Sequence, residues 1–124
     1  MIGYVTLGTN KLQEAAAFYD ELLSLIGAKR FMELDTFIAW TGAEGTPGMS
    51  VTLPFDGKPA TVGNGTMVAL TVDSPEQVAA LHAKALELGG RDEGAPGFRD
   101  GSFYAAYFRD LDGNKLNAYC MAER

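Results

Sequence analysis

The chain carries an internal repeat, and this feature constrains its fold more than any other. At an offset of 63 residues (Val5 to Val68, for example), apolar and small residues recur in the same order along the 124-residue sequence. Repeated segments of this kind indicate copies of one supersecondary unit. The sequence therefore predicts a single domain, 1–124, with a first module at about 1–54, a linker at about 54–65 and a second module at about 66–124. The other matched pairs are Leu7 with Leu70, Ala17 with Ala80, Leu23 with Leu86 and Gly27 with Gly90.

Each half has the pattern of one strand, one helix and three further strands. Alternating apolar residues predict opening strands at Ile2–Gly8 and Thr66–Val72. Apolar residues repeat with a period near 3.6 at about 11–26 and about 75–88, which predicts helices that end at glycines. The remaining predicted strands of the first half are Ala28–Leu34, Thr36–Thr41 and Met49–Leu53. The second half has a short predicted strand near Arg91–Gly94 and two longer ones at Ser102–Arg109 and Lys115–Met121.

Start and turn signals support these elements. Asn10 with Gln13, and Ser74 with Gln77, have the spacing of a capping box at the start of each helix. The second helix also has a proline at its first position, where the missing N–H costs nothing. Asp112-Gly113-Asn114 predicts a tight turn that joins the last two strands into a hairpin.

Composition and charge exclude several classes of protein. Hydrophobic residues make up 47% of the chain, which suits a packed core. The net charge of −6 argues against a nucleic-acid partner, because an acidic surface repels phosphates. The apolar runs are shorter than the roughly 20 residues that span a bilayer, so no membrane partner is expected. Without a secretory leader pattern, and with Cys120 as the only cysteine, the sequence predicts a cytoplasmic protein.

The order and spacing of these elements resemble the vicinal oxygen chelate superfamily, which includes glyoxalases, bleomycin resistance proteins and extradiol dioxygenases. Met1–Leu7 with Ala17-Phe18-Tyr19 resembles the family's first strand and helix, Gly63–Ala69 its second module, and Tyr107–Leu116 its closing hairpin. The resemblance implies an α+β fold of two βαβββ modules that form a curved, mainly antiparallel sheet cup with helices on the outside. It also implies a small-molecule ligand in the cup and a homodimer.

The resemblance further assigns the positions where metal-dependent relatives carry histidine, glutamine or glutamate. In this chain the two histidine positions fall on Tyr4 and Met67, and the closing glutamate falls on Asn117. The fourth lies within Met49–Leu53, which has no His, Glu, Asp, Gln or Cys. Divalent cations prefer imidazole, carboxylate or thiolate ligands, so we expect neither a metal nor another cofactor. His82 and Cys120 are expected to be structural.

Strand alternation then predicts which side chains line the cup. Lys115 and Tyr119 fall on the same face as Asn117, and Tyr107 and Phe103 join them if Tyr107 pairs with Asn117. At most one of Phe37 and Trp40 lines the cup. Arg99, in the glycine-rich segment Gly94–Gly101, is expected either to meet an anionic ligand at the mouth of the pocket or to be a solvated loop arginine. The catalytic residues are unknown; Tyr4 and Tyr107 are candidates, although a free phenol titrates near pH 10. The predicted ligand-binding residues are Tyr4, Thr52, Met67, Arg99, Tyr107, Asn117 and Tyr119.

Three functions remain open at this point. The first is a protein that binds a small, partly apolar molecule without a metal. The second is a glyoxalase-like lyase or isomerase, or a dioxygenase, either metal-free or with a degenerate metal site. The third is an interaction module whose pocket is vestigial.

Overall fold

Each half of the chain folds as one strand, one helix and three further strands. The structure, a computed structural model, describes all residues 1–124 and divides into two compact units, Met1–Gly63 and Asn64–Arg124. The first unit contains β1 (Tyr4–Gly8), α1 (Leu12–Ser24), β2 (Lys29–Glu33), β3 (Phe37–Thr41) and β4 (Gly48–Thr52). The second contains β5 (Val68–Thr71), α2 (Pro75–Glu87), β6 (Arg91–Asp100), β7 (Phe103–Arg109) and β8 (Lys115–Met121).

Each unit holds one mixed four-stranded sheet. The strand orders are β1-β4-β3-β2 and β5-β8-β7-β6, so the opening strand of each unit lies beside its closing strand. That pairing is parallel, whereas the other pairs are antiparallel. The predicted α+β fold with two βαβββ modules is confirmed.

In the first unit, one carboxylate of α1 bonds side chains of two strands of its sheet. The Asp20 carboxylate accepts hydrogen bonds from Nε (2.9 Å) and Nη2 (2.7 Å) of Arg30 on β2. It also accepts one from the indole Nε1 of Trp40 on β3, at 2.8 Å. Trp40 is 1% exposed, so its N–H has lost water and needs this partner. The guanidinium of Arg30 holds the pKa of Asp20 below its usual value.

The predicted capping box at the start of α1 is wrong. The N-cap is Lys11, with no side-chain cap, and the Thr9 hydroxyl accepts from the Lys11 N–H instead. Asn10 bonds the distant backbone of Ala60, accepting from its N–H at 2.7 Å and donating to its carbonyl at 3.3 Å. Because the Asn10 side chain bonds a residue fifty positions away, it does not cap α1. The sequence around α1 gives no sign of this distant partner.

The start of α2 agrees with prediction. Ser74 is the N-cap and its hydroxyl accepts from the Gln77 N–H, while the Gln77 side chain accepts from the Asp73 N–H. On the buried side of α2, His82 Nε2 lies 2.9 Å from a carboxylate oxygen of Asp92 on β6. His82 is thus a structural link between α2 and the sheet, as expected from the sequence.

The largest difference from the predicted elements is β6. A short strand near Arg91–Gly94 was predicted, with Arg99 in a following loop, but β6 continues to Asp100. Its pairing with β7 is interrupted by three register shifts. Glycines and bulges weaken the period-two signal by which a strand is recognised, so the sequence underestimates this strand.

The opening strands are shorter than predicted and begin at Tyr4 and Val68, so Met67 precedes β5. The hairpin between β7 and β8 is confirmed, with Gly113 at φ 91° in its turn. Neither helix has the length and apolar character needed to cross a membrane.

Candidate functional site

The second sheet packs one face on α2, and its other side, here called the distal face, carries the candidate site. Leu116, Ala118 and Cys120 of β8 are buried on the α2 side, so alternation places Asn117 on the distal face. The predicted pairing of Tyr107 with Asn117 is confirmed. By the same alternation the distal face comprises Ala69, Thr71, Phe103, Ala105, Tyr107, Arg109, Lys115, Asn117 and Tyr119.

Asn117 stands out on this face because its amide is buried without a partner. The residue is 1% exposed, and neither its side-chain oxygen nor its nitrogen has a hydrogen bond. A buried amide that has lost water without gaining a partner costs about 1–3 kcal/mol. Native proteins keep few such groups, and each calls for an explanation in water, ligand or strain.

Beside Asn117, the Tyr107 ring lies next to two cations. The guanidinium carbon of Arg99 is 5.3 Å from the ring centroid, and the Lys115 ammonium nitrogen is 5.5 Å from it. Both distances fit cation–π contact, in which the negative face of the ring attracts a positive charge. Neither cation has an ion pair with a carboxylate.

The position of Arg99 depends on two glycines of β6. Its Nη1 donates to the Gly97 carbonyl at 3.0 Å and its Nη2 to the Ala95 carbonyl at 2.6 Å. A Cβ added at Gly94 would lie 3.1 Å from both Arg99 Nη2 and Tyr107, and one at Gly97 would lie 3.2 Å from Arg99 Nη1. The missing side chains therefore leave the space in which the guanidinium lies against Tyr107. Three of its five N–H donors remain available.

Aromatic rings occupy the other end of the distal face. The rings of Phe103 and Tyr119 stack with centroids 5.2 Å apart and planes at 21°. Along β8 the order is therefore a cation at Lys115, an amide at Asn117 and an aromatic ring at Tyr119. Same-face neighbours on a strand are separated by roughly 7 Å, which is the length scale of a small planar molecule.

Glu93, the carboxylate on which Lys115 acts through space, is already engaged by another cation. Arg109 Nε donates to a Glu93 oxygen at 2.6 Å, and this bond is the main cause that lowers the pKa of Glu93. Lys115 lowers it further by weaker attraction through space. The distal face of β5, β7 and β8 has no aspartate or glutamate, although the whole chain has net charge −6.

The first sheet places its predicted residues separately. Tyr4, Thr6, Ser50 and Thr52 share the face away from α1, and the Thr6 and Ser50 hydroxyl oxygens are 2.8 Å apart. Phe37 lies on this face, with its ring centroid 5.8 Å from that of Tyr4. Trp40 lies on the α1 side, which agrees with the prediction that at most one of Phe37 and Trp40 shares the face of Tyr4.

The residues at the family's metal positions do not fit a divalent cation. The first unit offers a phenol at Tyr4 and hydroxyls at Ser50 and Thr52, while the second offers the thioether of Met67 and the amide of Asn117. These donors are neutral, whereas such ions prefer carboxylate, imidazole or thiolate. No three His, Cys, Asp or Glu side chains form a group that could hold a metal. Cys120 faces α2, where burial raises the pKa of its thiol.

Sequence reasoning omitted Lys115 from the ligand-binding residues. Alternation did place it on the face of Asn117, but its contact with Tyr107 depends on the β7–β8 register, and the position of Arg99 depends on the irregular path of β6. Tyr107, Tyr119, Arg99 and Asn117 all lie within the second unit, and Met67 precedes its first strand.

Comparisons with known proteins agree on one family. Residues 1–118 match the model of the Glyoxalase/Bleomycin resistance protein/Dioxygenase superfamily. A glyoxalase/bleomycin resistance protein from Albidiferax ferrireducens is 38% identical, with TM-score 0.87 over 96% of this chain and 97% of that one. A hypothetical protein from S. aureus is 25% identical, with TM-score 0.73 over 94% and 90%. A glyoxalase-related enzyme from Fulvimarina pelagi, 21% identical with TM-score 0.75 over 96% and 86%, shares the fold. A search of curated proteins gives no match.

Proposed function

The chain belongs to the glyoxalase/bleomycin resistance protein/dioxygenase superfamily, and we propose that it binds a small, partly apolar molecule on the distal face without a metal. The buried, unpartnered amide of Asn117 carries this proposal. The side-chain amide has an NH2 group that donates and a carbonyl oxygen that accepts. A ligand with an acceptor and a donor on adjacent atoms would satisfy both.

The surroundings of Asn117 support a ligand with a flat apolar part. Tyr107, Tyr119 and Phe103 supply aromatic surface, and small-molecule sites combine such surface with a few polar groups that fix orientation. Tyr4, Thr52 and Met67 stay predictions from the sequence as further ligand-binding residues. Tyr4 and Tyr107 remain candidate general acids or bases only if turnover is found.

Replacing Asn117 with leucine tests the proposal without any knowledge of the ligand. Leucine has a similar volume and no polar atoms, so the free protein is expected to gain about 1–2 kcal/mol in free energy of unfolding. Denaturant unfolding measures this change. A thermal-shift screen with neutral and charged aromatic and heteroaromatic compounds should then give hits with the wild type that are lost in Asn117→Leu.

Gln13→Leu is the matched control, because Gln13 is an exposed amide on α1. Its stability should change by no more than about 0.5 kcal/mol, and its hits should equal those of the wild type. If Asn117→Leu instead destabilises the free protein, the amide is part of the fold through bound water, and the proposal fails.

Absence of a metal requirement is tested directly. The neutral donors at the metal positions lead us to expect less than stoichiometric metal in protein purified without chelators. They also predict no thermal stabilisation by Ni²⁺, Zn²⁺, Mn²⁺ or Fe²⁺. Stabilisation by several degrees that is lost in Asn117→Ala would contradict this part. Turnover of the methylglyoxal–glutathione hemithioacetal would replace binding with the lyase alternative.

We also propose that the protein forms a homodimer. Phe31, Met32 and Leu34, on or next to the edge strand β2, expose apolar side chains, which supports burial against a second chain. Light scattering coupled to size exclusion should give twice the mass of 13.2 kDa. A monomer at micromolar concentration would contradict the proposal.

A further inference from the structure

We propose that the ligand of the distal face is an anion, a carboxylate on a flat ring, and that Lys115 and Arg99 select it by charge. This inference rests on the proposed function and adds to it the charge and class of the ligand. Its central observation is that two cations approach one ring while neither has a carboxylate partner.

Each of the two charges lies within 5.5 Å of the Tyr107 ring centroid. A phenol ring is a weaker partner for a cation than a carboxylate is. A carboxylate anion on this face would give either cation the charged partner that it lacks. Glu93 does not serve as this anion, because its carboxylate is bound by Arg109 at 2.6 Å.

Arg99 is held ready for such a contact. Two of its N–H groups are bound to the carbonyls of Ala95 and Gly97, which fixes the direction of the guanidinium. The remaining N–H groups are available for a carboxylate, and a guanidinium fixed before binding loses little conformational entropy when it binds.

The distal face also defines where the rest of the ligand lies. Asn117 follows Lys115 by two residues on the same side of β8, and Tyr119 follows Asn117 in the same way. A molecule with its carboxylate at Lys115 thus meets the amide with a ring hydroxyl or carbonyl and the Tyr119 ring with its flat surface. The neutral amide, buried at 1% exposure, would gain hydrogen bonds in the middle of this row.

Matched pairs of probes that differ only in charge test the inference. The pairs are 4-hydroxybenzoate with 4-hydroxybenzamide, and 4-hydroxycinnamate with 4-hydroxycinnamamide, titrated into the protein and followed by NMR chemical shifts or calorimetry. The carboxylate of at least one pair should bind about tenfold more tightly than its amide, because charge-assisted hydrogen bonds are the stronger ones. This preference should shrink between about 50 and 500 mM NaCl.

Variants assign the preference to Lys115. Lys115→Met should remove most of it, and Lys115→Arg should keep it. Lys58→Met, which removes the charge of an exposed lysine in the linker, should leave it unchanged. If thermal unfolding shows that Lys115→Met is poorly folded, Arg99→Gln provides the second test, and it should also reduce the preference for the carboxylate.

The remaining outcomes separate this inference from the proposed function. Equal binding of carboxylate and amide, weakened for both by Asn117→Leu, overturns the charge selection and leaves the binding site intact. If no carboxylate binds the wild type, the inference is overturned, and the proposed function is decided by the stability of Asn117→Leu alone. A preference that survives Lys115→Met and Arg99→Gln would overturn the assignment to this face.

Discussion

Replacing Asp20 with alanine is expected to lower the free energy of unfolding by about 2–3 kcal/mol. The carboxylate accepts bonds from the Arg30 guanidinium and from the Trp40 indole, whose ring is buried. Asp20 is 41% exposed, so the ion pair itself is screened by water and contributes the smaller share. The larger share comes from the Trp40 N–H, which is left buried without an acceptor. Denaturant unfolding of the two proteins measures the difference.

Glu33→Ala is the control within the same network. Glu33 also bonds Arg30, at 2.7 Å, but it is 63% exposed and has no buried donor to satisfy. Its removal should change stability by no more than about 0.5 kcal/mol. Equal losses in the two variants would show that Arg30, and not Trp40, needs the carboxylate.

The pH dependence of stability gives a second readout for Asp20. Its pKa is lowered in the folded protein, mainly by the hydrogen bond from Arg30. A carboxylate whose pKa falls on folding stabilises the protein above its unfolded pKa, and this contribution is lost as the pH falls toward the folded value. The wild type should therefore lose stability more steeply than Asp20→Ala below about pH 4. Parallel profiles would contradict the assignment.

Replacing Asp110 with alanine should lower the free energy of unfolding by about 2–4 kcal/mol, because this one buried carboxylate organises the turn between β7 and β8. Its Oδ1 accepts from the N–H groups of Asp112 and Asn114, both at 2.9 Å, and its Oδ2 accepts from the Asn114 amide at 3.0 Å. Alanine leaves these donors without that acceptor in a part of the chain where Asn114 is 5% exposed. Thermal or denaturant unfolding measures the loss.

Asp56→Ala provides the comparison, since Asp56 accepts a single bond, from the Lys58 N–H, in an exposed turn. The Asp56→Ala variant should lose about 0.5–1 kcal/mol in free energy of unfolding. If Asp110→Ala is no worse than Asp56→Ala, the turn does not depend on the carboxylate. The register that places Lys115 and Asn117 on the distal face would then be fixed elsewhere.

Most of the fold could be predicted from the sequence because its signals are local. Helix periodicity, the Ser74 cap and the Asp112-Gly113-Asn114 turn each involve residues a few positions apart, and the structure agrees with all three. The two largest failures have a common cause. Asn10 bonds Ala60, fifty residues away, and β6 keeps its pairing through three register shifts, so neither is expressed in a local pattern.

The candidate site could be predicted only in part. Strand alternation was sufficient to place Asn117 and Tyr107 together, because a regular hairpin fixes which residues share a face. The unsatisfied amide and the two cations at Tyr107 depend on atomic contacts across three strands. Such contacts leave no spacing rule in a single sequence, and Lys115 was therefore not recognised as a binding residue.

The parallel pairing of each opening strand with its closing strand affects the order in which the protein can fold during synthesis. In the second unit, β8 lies between β5 and β7, so β5 has no sheet neighbour until the last strand has left the ribosome. In the first unit, β4 lies between β1 and β3, so β1 likewise has no sheet neighbour until β4 has been synthesised. Contacts between such distant segments slow folding, since the loop must close before they form. Each sheet can therefore be completed only after its closing strand, β4 or β8, has been synthesised.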